Sequence, residues 1–355
     1  MKLAINLTLS LGMLALCLWL VWPNGRDREG IETAFEALAW SEFAPYLAAY
    51  IGLMIVSQLC RSLRWNYLLA PLGVKIAAGP LLAISSVGFM AILALPARLG
   101  EFVRPGLLRR RGISASAALG TVAVERIVDG LMISLFVFGA FLVRQRSPGA
   151  PGWMMPVGFL VLGVFVAAFL FIVFAMNKPD ATVRFCIRIS LLDRLAPRIA
   201  RLIEAKLRDM IRGFAVLRDV GNLTRFCFWT VVYWSANGLT VLVIARAFQL
   251  DLSLIGAFAV MGIVGVGISL PNPPANVGLY QAAMLAGLAL YLGPDAEKGM
   301  PLYASAYACA MTQYIFQVMW YVATGALGLA SPWVSIHDLR TMRNAAEPAN
   351  APPDS

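Results

Sequence analysis

The chain has a single histidine among its 355 residues, His337, close to the C-terminus. That absence removes histidine-based metal sites, catalytic triads and imidazole acid–base work from the apolar body of the chain. The five cysteines, Cys17, Cys60, Cys186, Cys227 and Cys309, are scattered with no CxxC spacing, so neither a disulfide framework nor a zinc site is indicated. There is no GxxxxGK[ST] run to cradle a nucleotide and no paired-aspartate DxD to hold a metal. No metal and no cofactor are expected, and any catalysis would rest on carboxylates alone. Charged residues make up only 14% of the chain.

What is present is apolar surface in excess. Hydrophobic residues are 60% of the sequence, and runs near twenty residues recur from Leu3 to Leu329, the length that crosses a hydrocarbon layer as a helix. The runs are continuous where a barrel would alternate, so an all-α polytopic membrane bundle is expected. The net charge of +10 would point a soluble protein toward nucleic acid. Here the arginines sit between apolar runs, where membrane topology and lipid head groups account for them, and no nucleic-acid partner is expected.

Lys2 followed by an apolar run to Val21 has the outline of a signal peptide, but the run is too long and Trp22-Pro23-Asn24 offers no small-residue cleavage site. It reads as a retained first span, Leu3–Trp22. Residues 26–42 carry two arginines against five acids, so that side is not cytoplasmic and the N-terminus is inside. Ala44–Cys60 returns to a basic turn with Arg61, Arg64 and Lys75, where Trp65 and Tyr67 would sit at head-group level. Further crossings are expected over 115–143, 153–176, 226–248 and 302–329, with the C-terminus cytoplasmic.

Between 178 and 225 lie eleven Lys/Arg and five acids, which marks a cytoplasmic insertion. Within it Leu195, Ile199, Leu202, Ile203, Leu207, Met210, Ile211 and Phe214 recur at three- and four-residue steps, giving a basic amphipathic helix. It either lies on the inner leaflet or packs as a cap on the loops. The chain thus reads as one integral membrane domain over 1–335, with halves 44–176 and 224–330 joined by 178–222, and a tail over 336–355 that is disordered at its end.

Two stretches do not fit plain crossings. Leu95–Arg104, LPARLGEFVR, places Pro96, Arg98, Gly100, Glu101 and Arg104 at the end of an apolar run whose two flanks both claim the basic side. A near-copy of its first half follows 178 residues later, Pro274-Ala275-Asn276-Val277-Gly278, behind Leu270-Pro271. With Pro96, Gly100, Pro271, Pro274 and Gly278 as breaks, the two stretches read as re-entrant elements entering from opposite sides. That leaves six full crossings in an inverted repeat; a plain hydropathy count gives eight spans.

Glu125, Arg126 and Asp129 lie inside the long span 115–143. Three lipid-facing charges would cost ~7–10 kcal/mol, so they must face the bundle interior or water. Glu125 and Asp129 share a helix face, and Arg98 and Arg104 are the nearest partners in sequence. The set is either a structural ion-pair network or one that leaves a guanidinium fork free for an anionic head group. The second broken element offers Asn272, Asn276, Tyr280 and Gln281. Gln313 and Gln317 on the last span either extend that polar path or bond between helices.

PARLGEFVRPGLLRRRGIS, the later ERIVDG and a final LP-x-P-P-x-x-x-G together resemble the flippase-like transmembrane region of the lysylphosphatidylglycerol synthase family. The likeness spans about residues 45 to 330. On the matching motifs Pro96, Arg98, Gly100, Glu101, Arg104, Glu125, Arg126 and Asp129 carry over. The third motif departs: Pro273-Pro274 and Gln281 stand where the family commonly has Pro-Gly and a closing Glu. The resemblance implies a bacterial cytoplasmic-membrane protein without the soluble aminoacyl transferase domain. The function expected is movement of an anionic phospholipid or lipid-linked intermediate between leaflets, not catalysis. The alternatives are a membrane-embedded transferase and a scaffold for a separately encoded lipid-modifying or glycosyl transferase.

Overall fold

The structure, a computed structural model, describes residues 25–36, 38–95, 100–109, 112–144, 151–190, 197–269 and 274–334. Every regular element among them is helical, which is how backbone satisfies its own hydrogen bonds in lipid. The first span, Leu3–Trp22, Leu195 and the tail beyond 334 lie outside the described residues, as do Pro96, Arg98, Pro271 and Asn272.

Among the described residues four helices are long and apolar enough to cross a membrane: α2 (Trp40–Leu63), α6 (Ala115–Arg144), α7 (Met154–Asn177) and α10 (Val220–Ala247). The acid-rich stretch before them forms α1 (Gly25–Glu36), laid against α13 (Tyr303–Ala330). That last helix has 28 residues and no charge, and Gln313, Gln317 and four tyrosines interrupt its apolar run. α10 starts six residues before the expected Phe226 because Asp219 caps it, Oδ1 accepting the Asn222 N–H at 3.0 Å.

The helical path of α2 does not stop at the expected basic turn. It continues through Arg64, at φ −60° and ψ −23°, into α3 (Trp65–Leu69) and the turn Ala70–Leu72. Trp65 is fully buried inside the bundle, its Nε1 donating to Thr121 Oγ1 at 3.0 Å.

Both broken stretches are made of short apolar helices. α4 (Ala78–Ala94) has 17 residues, α11 (Leu254–Ser269) 16 and α12 (Leu279–Leu292) 14. At ~1.5 Å per residue each falls short of a ~30 Å hydrocarbon layer. α4 ends at Leu95, whose φ −98° and ψ 135° are the extended values that the residue before a proline favours. The chain then doubles back: Gly100 lies so close to Ala91 and Ile92 that a Cβ would stand 2.2 Å from their backbone. Arg104, on α5 (Val103–Leu108), crosses Gly88. α5 therefore runs antiparallel along α4, as a hairpin and not as the continuation of a crossing.

The basic insertion forms α8 (Pro179–Ile189), α9 (Pro197–Arg212) and the turn Gly213–Arg218. α9 and this turn pack along the start of α6 and bury Ile211, Phe214 and Val216 there, while Ile199 and Leu202 stay exposed on the other side. One face thus serves as a cap. The described residues form two larger hydrophobic cores and a small third one around Ile133, Val137, Phe141 and Met154. One gathers Trp65, Leu81, Leu108, Val124 and Phe226 near that cap; the other gathers Tyr50, Ile244, Val260, Met284 and Cys309.

Candidate functional site: a charged cleft between two cores

The acids of α6 meet their partners between the two cores. Arg64 NH1 and NH2 donate to Asp129 Oδ1 and Oδ2 at 2.8 and 2.7 Å. NH1 also reaches Thr230 Oγ1 at 2.7 Å, and NH2 reaches Glu125 Oε1 at 3.3 Å. Arg104 NH1 donates to the other Glu125 oxygen at 3.0 Å, and Trp234 Nε1 donates to Asp129 Oδ1 at 2.9 Å. Both carboxylates are thereby bound through both oxygens. Of the two expected partners, Arg104 is in place and Arg98 is outside the described residues. The principal partner, Arg64, read in sequence as part of a basic turn; its only local signal is that the apolar run SQLCRSLRWNYLL continues past it.

The level of this network follows from helix rise. Gly88, Glu125 and Thr230 each stand ten residues past the first residue of helices that begin at Ala78, Ala115 and Val220, or ~15 Å along each.

Arg126 does not join Glu125 and Asp129. It turns toward Glu101, Nε lying 3.8 Å from Oε1, with both side chains partly exposed. The two line a half-open cavity of about 520 Å³ between α6, α7 and α11, with Phe102 at its rim and Phe165 and Ser269 on its walls. A second, more enclosed space of about 120 Å³ lies inward, lined by Arg61, Asn276, Tyr280 and Gln317 among others. Arg126, Trp234, Gly265 and Ile268 line both, so the two spaces are separated by little more than these four residues. Arg61, the other residue of the supposed basic turn, stacks its guanidinium 3.2 Å from the Phe89 ring centre and donates to Tyr321 Oη at 2.9 Å. Among the described residues, Arg61, Arg64, Arg104 and Arg126 face Glu101, Glu125 and Asp129, four cations to three anions.

The second broken element is held open by strained backbone. Pro274 starts a single turn, and Ala275 and Asn276 follow at φ 57° and 59°, values that side-chain-bearing residues adopt at a cost. Tyr314 Oη holds the turn by donating to the Ala275 carbonyl at 3.1 Å. Gly278, at φ 79°, then caps α12. Gln281 turns back to it, Oε1 accepting the Gly278 N–H at 2.7 Å, so its oxygen serves the helix start. Asn276 and Tyr280 line the inner cavity. Gln313 bonds across helices to Thr240 Oγ1 at 2.9 Å, and Gln317 reaches Tyr321 Oη at 3.4 Å within its own helix.

A helical membrane bundle with a buried ion-paired cluster defines the class. The chain belongs to the family described as the lysylphosphatidylglycerol synthase TM region, which matches residues 4–332. It is also 24% identical over 264 residues to a protein of Haloferax volcanii named glycosyltransferase AglD. That match takes in 67% of this chain and 42% of the archaeal protein, so the chain spans less than half the length of that relative. No solved structure matches it.

Proposed function

We propose that the protein carries the head group of an anionic phospholipid or lipid-linked intermediate between leaflets while the acyl chains stay in lipid. The observation that carries this reading is the pair of neighbouring cavities sharing Arg126, lined by a cluster that holds, among the described residues, one guanidinium more than carboxylates. An uncompensated cation in that position is costly unless an anion visits it. The half-open outer cavity gives a head group a lateral way in, and the enclosed one gives it a polar resting place. In this reading the α4–α5 hairpin and the α11–α12 pair are the inverted halves of a transporter, with the basic cap on the cytoplasmic side.

The test is leaflet-resolved accessibility of a short-chain fluorescent phosphatidylglycerol in reconstituted vesicles. Protein should make the inner-leaflet pool reachable by an external quencher, and Arg126→Ala should slow this by about tenfold or more, the worth of a charge-assisted hydrogen bond. Equal quenching in protein-free vesicles would end the proposal.

A second reading, favoured by the name of the archaeal relative, is the membrane part of a system that transfers sugars onto lipid carriers. A new glycolipid in expressing cells, without exchange in vesicles, would select it.

A further inference from the structure

The basic cap packs on the start of α6. Toward the other end of that helix a half-open furrow of about 480 Å³ lies between α6, α7, α11 and α12. α6 gives it Val137, Phe141 and Arg144, α7 gives Val157 and Val161, and α12 gives the small Ala286 and Ala289. Steps of three and four residues keep each set on a single helix face, and the two alanines leave the room. The small third core, around Ile133, Val137 and Phe141, is its floor. One turn nearer the cap on the same two helices, Ile133 and Phe165 already belong to the walls of the Arg126 cavity. The mouth of the furrow is polar: Arg144, whose Nε donates to the Leu290 carbonyl at 3.4 Å, and Glu297 stand there, with the exposed Trp153 ring at the start of α7. Tryptophan gathers where lipid head groups meet water. An apolar space of this kind stays dry and leaves its lining short of contacts, while α7 beside it turns Phe159, Leu160 and Val164 outward, as a lipid-facing helix does.

We infer that the furrow is a phospholipid site, in which one acyl chain lies between α6 and α7 and the phosphate meets Arg144. The site stands without the transport reading, because its walls and its mouth are separate from the ion-paired cluster. Length agrees. From Trp153 to Val161 the furrow follows α7 for ~12 Å, close to the ~15 Å that one chain spans in a hydrocarbon layer ~30 Å thick. Lipid tails are as apolar as the furrow walls, so burying the chain selects little by itself. Selection comes from the fit of the chain between the walls and from the charge-assisted bond of a phosphate to the guanidinium.

The experiment is native mass spectrometry of the delipidated full chain, titrated with three probes: palmitoyl-oleoyl phosphatidylglycerol, dihexanoyl phosphatidylglycerol and dioleoylglycerol. Saturable binding of the long-chain phosphatidylglycerol is the expected result, with the short-chain probe and the phosphate-free one each weaker by about tenfold or more. Ala289→Phe puts a ring where the chain would lie and should remove that binding without lowering Tm; Ala286→Phe, at an exposed position, should do the same. Arg144→Gln should weaken binding by about tenfold, and Arg144→Lys by less. Unsaturable uptake that both alanine variants keep would mean ordinary boundary lipid and would overturn the site. A parent dimer lost in Ala289→Phe, with lipid binding unchanged, would give the furrow to a second copy of the chain and overturn it too. Arg126→Ala separates the two readings: binding kept while leaflet exchange fails supports the furrow, whereas binding lost with exchange would move the lipid to the Arg126 cavity and overturn it. Binding kept in a parent that exchanges no lipid would end the transport reading and leave the furrow standing.

Discussion

Arg64 and Asp129 face each other through two parallel hydrogen bonds of 2.8 and 2.7 Å, from the residue that joins α2 to α3 across to the middle of α6, with both side chains nearly closed to solvent. Fork-to-fork geometry fixes orientation as well as distance. Removing one partner strands the other charge in a place without water. Arg64→Met and Asp129→Leu should each lower unfolding free energy by about 3–5 kcal/mol, and the double variant should recover part of that loss. Denaturant unfolding in detergent measures it. Single variants as stable as the parent would mean the pair is solvated.

Gly88 makes a sharper local prediction. A Cβ there would stand 2.2 Å from Arg104 Cγ, near the stem of the side chain, where a rotamer change gives little relief. Gly88→Ala should therefore destabilise by about 1–3 kcal/mol and pull Arg104 from Glu125. Gly139→Ala on α6, where a Cβ meets nothing within 4 Å, should gain up to about 1 kcal/mol from helix propensity. Thermal unfolding of the two variants side by side checks the contrast, and similar shifts in both would refute the close approach.

The helix plan was largely legible because apolar runs near membrane length leave few alternatives. The turn at 95 was legible from a proline and two basic flanks. The fate of Arg61 and Arg64 was not. An arginine that anchors a loop and one that neutralises buried acids carry the same letter, and positive-inside counting assigns both to the loop. The missing signal was stoichiometric. Glu125 and Asp129 needed two cations, Arg126 turns to Glu101, and α3 extends the second span beyond Arg64. Gln281 likewise looked like cavity lining because an amide in a polar stretch does not reveal that its own helix start requires an acceptor.

Acid should act first at the start of α10. The Asn222 N–H bond to Asp219 holds that carboxyl below its ordinary value of 3.8. A depressed folded-state pKa contributes stability that is complete above the ordinary value and fades as pH falls through the depressed one. Amide exchange at residues 221–224, corrected for intrinsic rates, should therefore quicken between pH 5 and 3. In Asp219→Asn, which keeps an acceptor but cannot titrate, protection should stay level. The same acid response in both would place the sensitivity elsewhere.

Gln281 stands where the family commonly carries Glu, and the geometry explains why either can serve. Its Oε1 accepts the Gly278 N–H at 2.7 Å, closing the first turn of α12 behind two residues of positive φ. What the position requires is an acceptor oxygen three residues into the helix, and an amide or a carboxylate supplies one. Gln281→Glu should keep Tm within about a degree or two, since an exchange that retains the contact stays within ~0.5 kcal/mol. Gln281→Leu, of similar volume but with no acceptor, should cost about 1 kcal/mol or more. It should also release the Ala275–Asn276 turn, so leaflet exchange should slow with it. Loss of exchange in Gln281→Glu at unchanged Tm would show instead that charge at this position matters to the cleft.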